Sequence, residues 1–435
     1  YAESSPVFLI CSGQTDEMDG ADSGSLHEMR NQFETLVSVS GQGKRVSKVE
    51  EIPGALFEGF ESMQQQRPRP YVLEVPLDVL TAEAEVLVPA PEVYPPTVPG
   101  NLALQAAVAA IGKANRPLIL AGGGAKDASE AVVALAERIG AAVGATGNGL
   151  GIVPADHPNY VGDAATVGEL LPEVDLLIGV GTRFGQRTMR GWKTEPAHLI
   201  QLDIDSAVIG RVYHADVGLL GDADAGIRAL LDMLGEGEVL AEWDFESAKE
   251  NLQSPPGMDI FCALLQVLRD VLDREAVVAN DMTQISYQAR RFFPFFTPRS
   301  YLAPVNYGTL GFSMPAAIGA KMACPDRQVV SLCGDGGFMF TVQELLTARQ
   351  QGLTLPIVVC NDNKYRAIER AQERDCEGRT IAVDLHNPDF VAMAKSFGVY
   401  GEAVREPEAF STALKVALEA DLPTLIEVPV HEFSV

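Results

Sequence analysis

Two apolar runs in the last third of the chain are each followed by polar, turn-forming residues. QVVSLC at 328–333 is followed by GDGG, and PIVVC at 356–360 is followed by NDN. Uninterrupted apolar runs are typical of parallel strands that are buried on both faces of a sheet. We therefore predict two such strands joined by a helix over 338–351, which Gly352 ends, in a right-handed βαβ unit.

The polar residues after these two strands are expected to meet at one edge of the sheet. Successive parallel strands often lie side by side, and open α/β sheets bind ligands at the carboxyl ends of their strands. Asp335 would then lie near the tip formed by Asn361, Asp362 and Asn363. Two side-chain oxygens and a backbone carbonyl suit Mg²⁺, which completes its octahedron with phosphate oxygens and water. The glycines let backbone N–H groups approach the same phosphates, as does the N-terminus of the following helix.

A Gly-Asp-Gly sequence by itself is usually only a turn, and the Asn/Asp tip on the next strand is what favours a binding site.

The net charge of -26 and the pI of about 4.6 argue against a nucleic-acid partner and disfavour an anionic membrane surface. They leave room for a small phosphate ligand that is held by a cation and by backbone N–H groups. Of the six scattered cysteines, Cys333 and Cys360 end apolar runs and are interpreted as buried free thiols, which indicates a cytoplasmic protein. No apolar run is long enough to cross a membrane.

Proline-rich or polar stretches divide the 435 residues into three blocks. Apolar strands alternate with helices in these blocks, which predicts the α/β class with three doubly wound parallel sheets. Because a strand follows almost directly after Tyr1, we expect the first unit to be truncated at its N-terminus. The predicted units are 1–88, 101–235 and 257–435, with linkers at 89–100 and 236–256.

The stretch GDGGFMFTVQELLTARQQGLTLPIVVCNDN resembles the signature of thiamin-diphosphate (ThDP) enzymes. NYGTLGFSMPAAIGAKMA, GIVPADHP, IQLDID and RPRPYVLEVPLDV are similar to other segments of the acetolactate synthase and benzoylformate decarboxylase group. The resemblance implies a pyrimidine-binding unit, a central unit and a diphosphate-binding unit, in that order. It also implies ThDP and Mg²⁺ as cofactors, and a homodimer or homotetramer with active sites at the subunit interface.

The resemblance assigns metal and cofactor roles by position. Asp335, Asp362 and the backbone carbonyl of Lys364 match the metal ligands, although Asn is commoner than Asp at the second place. Gly308 matches the residue whose carbonyl holds the aminopyrimidine, and Leu310 matches the apolar residue that bends the cofactor to bring its two rings together. The residues implied at the diphosphate are Gly334, Gly336, Gly337, Thr283 and Gln284. For Gln284, a solvated loop residue is an equally good interpretation.

Three residues after the NDN tip are implied near the substrate. Arg366 stands where relatives often carry Gly, and it would either reach a substrate carboxylate or block the entrance. Tyr365 and Ile368 would form walls of the pocket. The glutamate that activates the cofactor in this family matches no residue of the chain, and the six isolated histidines are given no catalytic role.

The middle block carries only weak signs of a second cofactor. GTRFGQR partly matches the flavin-contacting segment of acetolactate synthases, and the tryptophan expected beyond their signature is absent, so FAD is possible but not expected. AGGG at 121–124 is better interpreted as a tight turn than as a nucleotide site, because no full GxGxxG follows.

The leading hypothesis is therefore a Mg²⁺/ThDP-dependent enzyme that breaks or joins the C–C bond next to a carbonyl. A 2-oxo acid is the expected donor, and decarboxylation is not distinguished from carboligation. A non-catalytic ThDP-binding relative, suggested by the unassigned glutamate, and a nucleotide-dependent oxidoreductase are the alternatives.

Overall fold

The computed structural model describes residues 1–90, 93–237, 239–241, 243–245 and 260–435. It contains three sheets in which every pair of neighbouring strands is parallel, as the sequence predicts. Most of the predicted linker at 236–256 lies outside the described residues, as do positions 91 and 92 of the linker at 89–100. The proposed limits of the three units remain a prediction.

The first sheet is small and has the strand order β1-β3-β2. Its central strand, β3, is buried along its whole length, whereas β1 is partly exposed. The elements of this region are β1 (Phe8–Gly13), α1 (Gln32–Ser40), β2 (Gly43–Arg45), α2 (Ile52–Gln65), β3 (Tyr71–Pro76) and α3 (Leu77–Thr81).

The middle sheet has six strands in the order β6-β5-β4-β7-β8-β9. Its strands are rich in Leu, Ile and Val and are covered on both faces by apolar clusters. DASEAVVALAERIG at 127–140, with an Asp/Ser start and a Gly stop, predicts a helix by sequence. This prediction is confirmed by α5, which ends at Gly140 in the left-handed region at φ 66°. The elements are α4 (Asn101–Ile111), β4 (Pro117–Ala121), α5 (Ser129–Ile139), β5 (Ala142–Ala145), β6 (Tyr160–Asp163), α6 (Ala164–Leu170), β7 (Leu176–Val180), β8 (Leu199–Asp203), β9 (Val217–Leu220) and α7 (Ala223–Leu234).

The third sheet also has six strands, in the order β11-β10-β12-β13-β15-β14. Helices cover both of its faces and bury two apolar clusters. The elements are α8 (Ile260–Val271), β10 (Val277–Asn280), α9 (Gln284–Phe292), β11 (Tyr301–Leu302), α10 (Ser313–Ala323), β12 (Val329–Gly334), α11 (Asp335–Phe340), α12 (Glu344–Gln350), β13 (Pro356–Asn361), α13 (Arg366–Asp375), α14 (Phe390–Ser396), β14 (Tyr400–Ala403), α15 (Pro407–Glu419) and β15 (Thr424–Pro429).

The prediction of one helix over 338–351 is wrong. Two short helices, α11 and α12, take its place, and α11 starts directly at Asp335 without an intervening turn. Thr341 interrupts the helix with φ -135° and ψ 23°, and its hydroxyl donates a hydrogen bond to the carbonyl of Gly311 at 3.3 Å. A tertiary contact therefore ends α11 where the sequence alone would continue it.

The longest described helix, α2, has 14 residues. A helix needs about 20 apolar residues to cross the hydrocarbon core of a bilayer. Within the ranges that the structure describes, no helix meets that requirement.

Candidate active site at the carboxyl edge of the third sheet

The ends of β12 and β13 lie side by side. The two strands pair in parallel, with Gly334 opposite Cys360. Asp335 directly follows Gly334, and Asp362 lies two residues after Cys360, so both acids lie at the same edge of the sheet. Both side chains are buried, since Asp335 is 3% exposed and Asp362 is 8% exposed. This juxtaposition confirms the predicted meeting of the two acidic strand ends.

Asn387 connects the two strand ends through one amide nitrogen. Its Nδ2 donates to Oδ2 of Asp335 at 2.7 Å and to Oδ1 of Asn361 at 2.9 Å, and Oδ1 of Asn363 lies 3.3 Å away. Oxygens from both strand ends therefore converge on a single point. Sequence reasoning missed Asn387, which lies in the loop before α14 and carries no motif of its own.

The electrostatics of Asp335 favour a cation nearby. Burial raises the pKa of this carboxyl group, and the neighbouring Asp362 carboxylate acts in the same direction. Hydrogen bonds from the backbone N–H of Gly336, at 2.8 Å, and from Asn387 oppose that rise. Two buried carboxylates repel each other, and a divalent ion with oxygen ligands would relieve that repulsion.

Glycines after Asp335 are required by close packing. A methyl group on Gly336 would overlap the ring of Tyr365, and one on Gly337 would lie 2.6 Å from Oδ2 of Asp281. The backbone of α11 is thus pressed against side chains from two other loops. A side chain at either position would have to displace Tyr365 or Asp281, so packing requires glycine at both.

Asp281 is a second site residue that the sequence analysis did not single out. It directly follows β10, is 2% exposed, and accepts hydrogen bonds from the backbone N–H groups of Met282, at 2.9 Å, and Gly311, at 3.0 Å. Burial raises its pKa. The signal was available, because EAVVAND is an apolar run that ends in an acid just as the run before Asp335 does.

Thr283 and Gln284 lie at the start of α9. A methyl group on Gly334 would lie 2.9 Å from Oγ1 of Thr283, so this threonine borders the first glycine of the GDGG segment. The Oε1 atom of Gln284 accepts a hydrogen bond from Arg370 of α13 at 2.7 Å. The structure therefore brings Thr283 to the candidate site and links Gln284 to the helix that follows the NDN tip.

The segment that carries Leu310 packs against α11. Gly308 and Gly311 have φ angles of 75° and 76°, in the left-handed region that favours glycine. A methyl group on Gly311 would lie 2.8 Å from Cβ of Phe340, and the N–H of Gly311 is held by Asp281. Half-buried Leu310 is thus presented between two glycine turns beside the GDGG segment.

The NDN tip turns sharply into α13. Asn363 has a φ of 55°, a conformation that Asn tolerates better than most residues. The backbone N–H of Lys364 lies 3.2 Å from Oδ1 of Asp362, and Nε2 of His431 lies 3.1 Å from the Asp362 carbonyl. His431, one of the histidines without a predicted role, thereby supports the backbone of the tip.

Arg366 and Lys364 form an ion cluster with acidic side chains. Nε of Arg366 lies 3.0 Å from Oδ2 of Asp362, and its Nη1 lies 2.6 Å from Oε2 of Glu369. Nζ of Lys364 contacts Glu369 and also lies 3.2 Å from Asp384. Of the two predicted pocket walls, Tyr365 packs over Gly336, whereas Ile368 is 54% exposed on α13.

The middle sheet contributes a separate cleft of about 540 Å³, whose lining includes Lys126, Arg183 and Arg299. The AGGG and GTRFGQR segments both border it. A methyl group on Gly122 would overlap the carbonyl of Gly181, so close packing of two turns explains a glycine there, as the tight-turn interpretation predicts.

Glu3 joins the first block of the chain to the other two. Its carboxylate accepts from Nδ2 of Asn148 at 2.8 Å and from Nδ2 of Asn306 at 2.7 Å. These contacts give Glu3 a structural role between the blocks. No residue of the chain is assigned the role of the activating glutamate.

Comparison with known proteins agrees with this geometry. The C-terminal TPP binding domain of thiamine pyrophosphate enzymes matches residues 281–428, and their central domain matches residues 104–230. Thiamine pyrophosphate is another name for ThDP.

Relatives from several organisms match most of the chain. A protein described as a probable 2-ketoarginine decarboxylase from Pseudomonas aeruginosa is 33% identical over 424 residues, which cover 94% of this chain and 74% of that protein. Acetolactate synthase isozyme 2 large subunit of Escherichia coli is 31% identical over 413 residues, or 89% and 73% of the two chains. A probable acetolactate synthase large subunit of Methanocaldococcus jannaschii is 31% identical over 463 residues, or 98% and 77%. The chain therefore belongs to the ThDP-dependent enzymes, in the group that contains the acetolactate synthases and related decarboxylases.

Proposed function

We propose that this enzyme breaks or forms the C–C bond next to the carbonyl of a 2-oxo acid, with Mg²⁺ and ThDP as cofactors. The observation that carries the proposal is the meeting of the buried Asp335 and Asp362 at one sheet edge, beside the closely packed GDGG segment. The relatives named for decarboxylation of 2-ketoarginine and for acetolactate synthesis support the same class of reaction.

The donor set suits Mg²⁺. Carboxylate oxygens of Asp335 and Asp362, with the backbone carbonyl of Lys364, would hold the ion and leave positions for phosphate oxygens and water. Burial of both acids favours a divalent ion, which offsets two negative charges that the protein interior solvates poorly. Asp335 directly follows β12, and Asp362 and Lys364 lie in the tip that follows β13, which supports the proposal that one ion is held by all three.

The GDGG segment would hold the phosphate end of ThDP. Gly334, Gly336 and Gly337 would meet the diphosphate with Thr283 and Gln284 beside them, and Gly308 and Leu310 would contact the rings. When bound, the cofactor supplies the electron sink that carbon–carbon chemistry at a carbonyl requires.

The protein's own contribution is positioning. Asp281 fixes the backbone at Gly311 and thereby the segment that presents Leu310. Tyr365 and Ile368 would border the substrate beside the cofactor. We propose further that the enzyme is a cytoplasmic homodimer or homotetramer with its active site at the subunit interface.

The metal assignment is tested by titrating ThDP in the presence and absence of Mg²⁺. Asp335→Ala should weaken Mg²⁺-dependent ThDP binding by at least about 100-fold. Loss of a residue that only supports a metal ligand weakens metal binding by up to about 100-fold, and loss of the ligand itself should weaken it no less. Asp375→Ala removes an exposed aspartate of α13, paired with Arg374, and serves as the matched control. Equal ThDP affinity of wild type and Asp335→Ala would show that the metal site has been misplaced.

The reaction is tested with a panel of 2-oxo acids that includes pyruvate and 2-ketoarginine. Release of CO₂ without acyloin products would indicate a decarboxylase, and acyloin products would indicate a carboligase. Absence of turnover on every 2-oxo acid, with ThDP demonstrably bound, would remove the 2-oxo acid from the proposal.

A further inference from the structure

The second proposed metal ligand has a cationic partner within the same turn. Asp362 is almost fully buried, and its Oδ2 lies 3.0 Å from Nε of Arg366, four residues later. With Asp335 nearby, two carboxylates already lie where a diphosphate would bring further negative charge. Poorly solvated like charges repel strongly, so a cation at this point has a large electrostatic effect.

Arg366 is also held from its other side. Its Nη1 lies 2.6 Å from Glu369, which is 7% exposed and also contacts Nζ of Lys364. Lys364 in turn reaches Asp384 at 3.2 Å. The charges of this ion cluster alternate in space in the order Asp362, Arg366, Glu369, Lys364 and Asp384, so each cation lies between two anions.

This arrangement bears on the two predicted roles of Arg366. A guanidinium that two carboxylates already engage is poorly placed to bind a substrate carboxylate as well, because that would require exchange of an existing partner. Its side chain is 23% exposed, which places it at the wall of the site rather than free in solvent. The geometry therefore favours an effect of Arg366 on Asp362.

We propose that Arg366 is a positioning residue that offsets the negative charge of Asp362 where the diphosphate binds. Together with Glu369 it fixes the tip that carries Asp362 and Lys364. The inference rests on the proposed function, since it assumes that Asp362 faces the Mg²⁺–diphosphate end of ThDP. It predicts that Arg366 and Asp362 act as a coupled pair.

A double-mutant cycle tests the coupling through cofactor binding rather than activity. Arg366→Met removes the charge and keeps the apolar stem, and Asp362→Asn removes the charge and keeps an oxygen ligand. Arg366→Met alone should weaken ThDP binding at saturating Mg²⁺ about tenfold, whereas in the Asp362→Asn background it should change affinity less than about twofold. An equal loss in both backgrounds, or no loss in either, would overturn the proposal.

Substrate kinetics separate positioning from substrate binding. With ThDP and Mg²⁺ saturating, Arg366→Met should leave the KM for the 2-oxo acid unchanged, and a selective rise in KM would overturn the inference. Arg374→Met is the matched control, because Arg374 lies on the same helix and pairs with exposed Asp375. It should bind ThDP as wild type does.

A variant that fails to fold does not end the test. Thermal unfolding of each apoprotein reports folding, and Arg366→Lys in both backgrounds replaces Arg366→Met if the latter is unfolded. Lysine cannot bridge Asp362 and Glu369 as the guanidinium does, so an intermediate loss confined to the Asp362 background is expected. If Asp335→Ala loses ThDP binding while the cycle shows no coupling, the proposed function stands and only the role of Arg366 fails.

Discussion

Replacement of Gly337 by Ala tests whether the GDGG segment is held by the close packing seen in the structure. Gly337 lies inside α11, where an alanine would ordinarily stabilise a helix by about 1 kcal/mol. Here the added methyl group would lie 2.6 Å from Oδ2 of Asp281. Helix propensity therefore predicts that Gly337→Ala raises the free energy of unfolding, whereas tertiary packing predicts that it lowers it.

The expected magnitude follows from what must move. Oδ2 of Asp281 accepts a hydrogen bond from the backbone N–H of Gly311 at 3.0 Å, and displacing that oxygen breaks this bond. A hydrogen bond to a charged group contributes about 1.5–3 kcal/mol, and overpacking a tight site costs about 1–3 kcal/mol more. After the helix gain is subtracted, we expect a net destabilisation of about 1.5–5 kcal/mol.

Thermal unfolding of the apoprotein and titration with ThDP at saturating Mg²⁺ measure the two consequences. Gly337→Ala should lower the unfolding midpoint and weaken ThDP binding, because the Leu310 segment loses its anchor at Gly311. Gly319→Ala in α10 is the matched control, since a methyl group there meets no atom within 4 Å and should stabilise slightly. A Gly337→Ala variant that unfolds later than wild type and binds ThDP normally would refute the packing argument.

Three further predictions concern other parts of the molecule. Burial raises the pKa of Asp203 from 3.8 to about 6. The protonated carboxyl group therefore contributes stability below about pH 4, and this contribution is lost as the pH rises through 6. Asp203→Asn should raise the thermal unfolding midpoint at pH 7.5 and should not raise it at pH 4. Asn387→Ala should weaken ThDP binding at saturating Mg²⁺ about tenfold. At low Mg²⁺, Asn387→Asp should bind ThDP more weakly than Asn387→Ala does, because it adds a negative charge among oxygen atoms. The visible absorption spectrum of the purified enzyme should lack flavin bands, and stoichiometric bound flavin would contradict the sequence-based expectation for FAD.

Local patterns were sufficient to predict the centre of the candidate site. Each strand of the βαβ unit is an apolar run with a polar end, and parallel strands bring such ends to one edge, so the sequence alone predicts that Asp335 and Asp362 lie together. Asp281 follows the same rule at the end of β10, and a consistent application would have found it. That the glycines at 334, 336 and 337 meet the diphosphate stays a prediction, and the sequence does not predict their close packing against Thr283, Tyr365 and Asp281.

Contacts between distant segments account for what sequence analysis missed. Asn387 lies 52 residues after Asp335 in the chain, and a single asparagine in a loop carries no signal of that contact. The single helix predicted over 338–351 fails because Thr341 bonds to Gly311, a partner from 30 residues earlier. Helix periodicity describes a segment's own preferences and cannot report such a partner.

Short-range patterns of apolar and polar residues are enough to predict the α/β class, the parallel strands and the acidic residues that follow them. Which side chains meet those acids depends on contacts between segments that are distant in the chain. Arg366 illustrates the difference, since by sequence it was equally a substrate ligand or an obstruction, and in the folded chain it lies between Asp362 and Glu369. A buried charge is paired with whichever opposite charge the packing brings near it, and that choice is made by the whole fold.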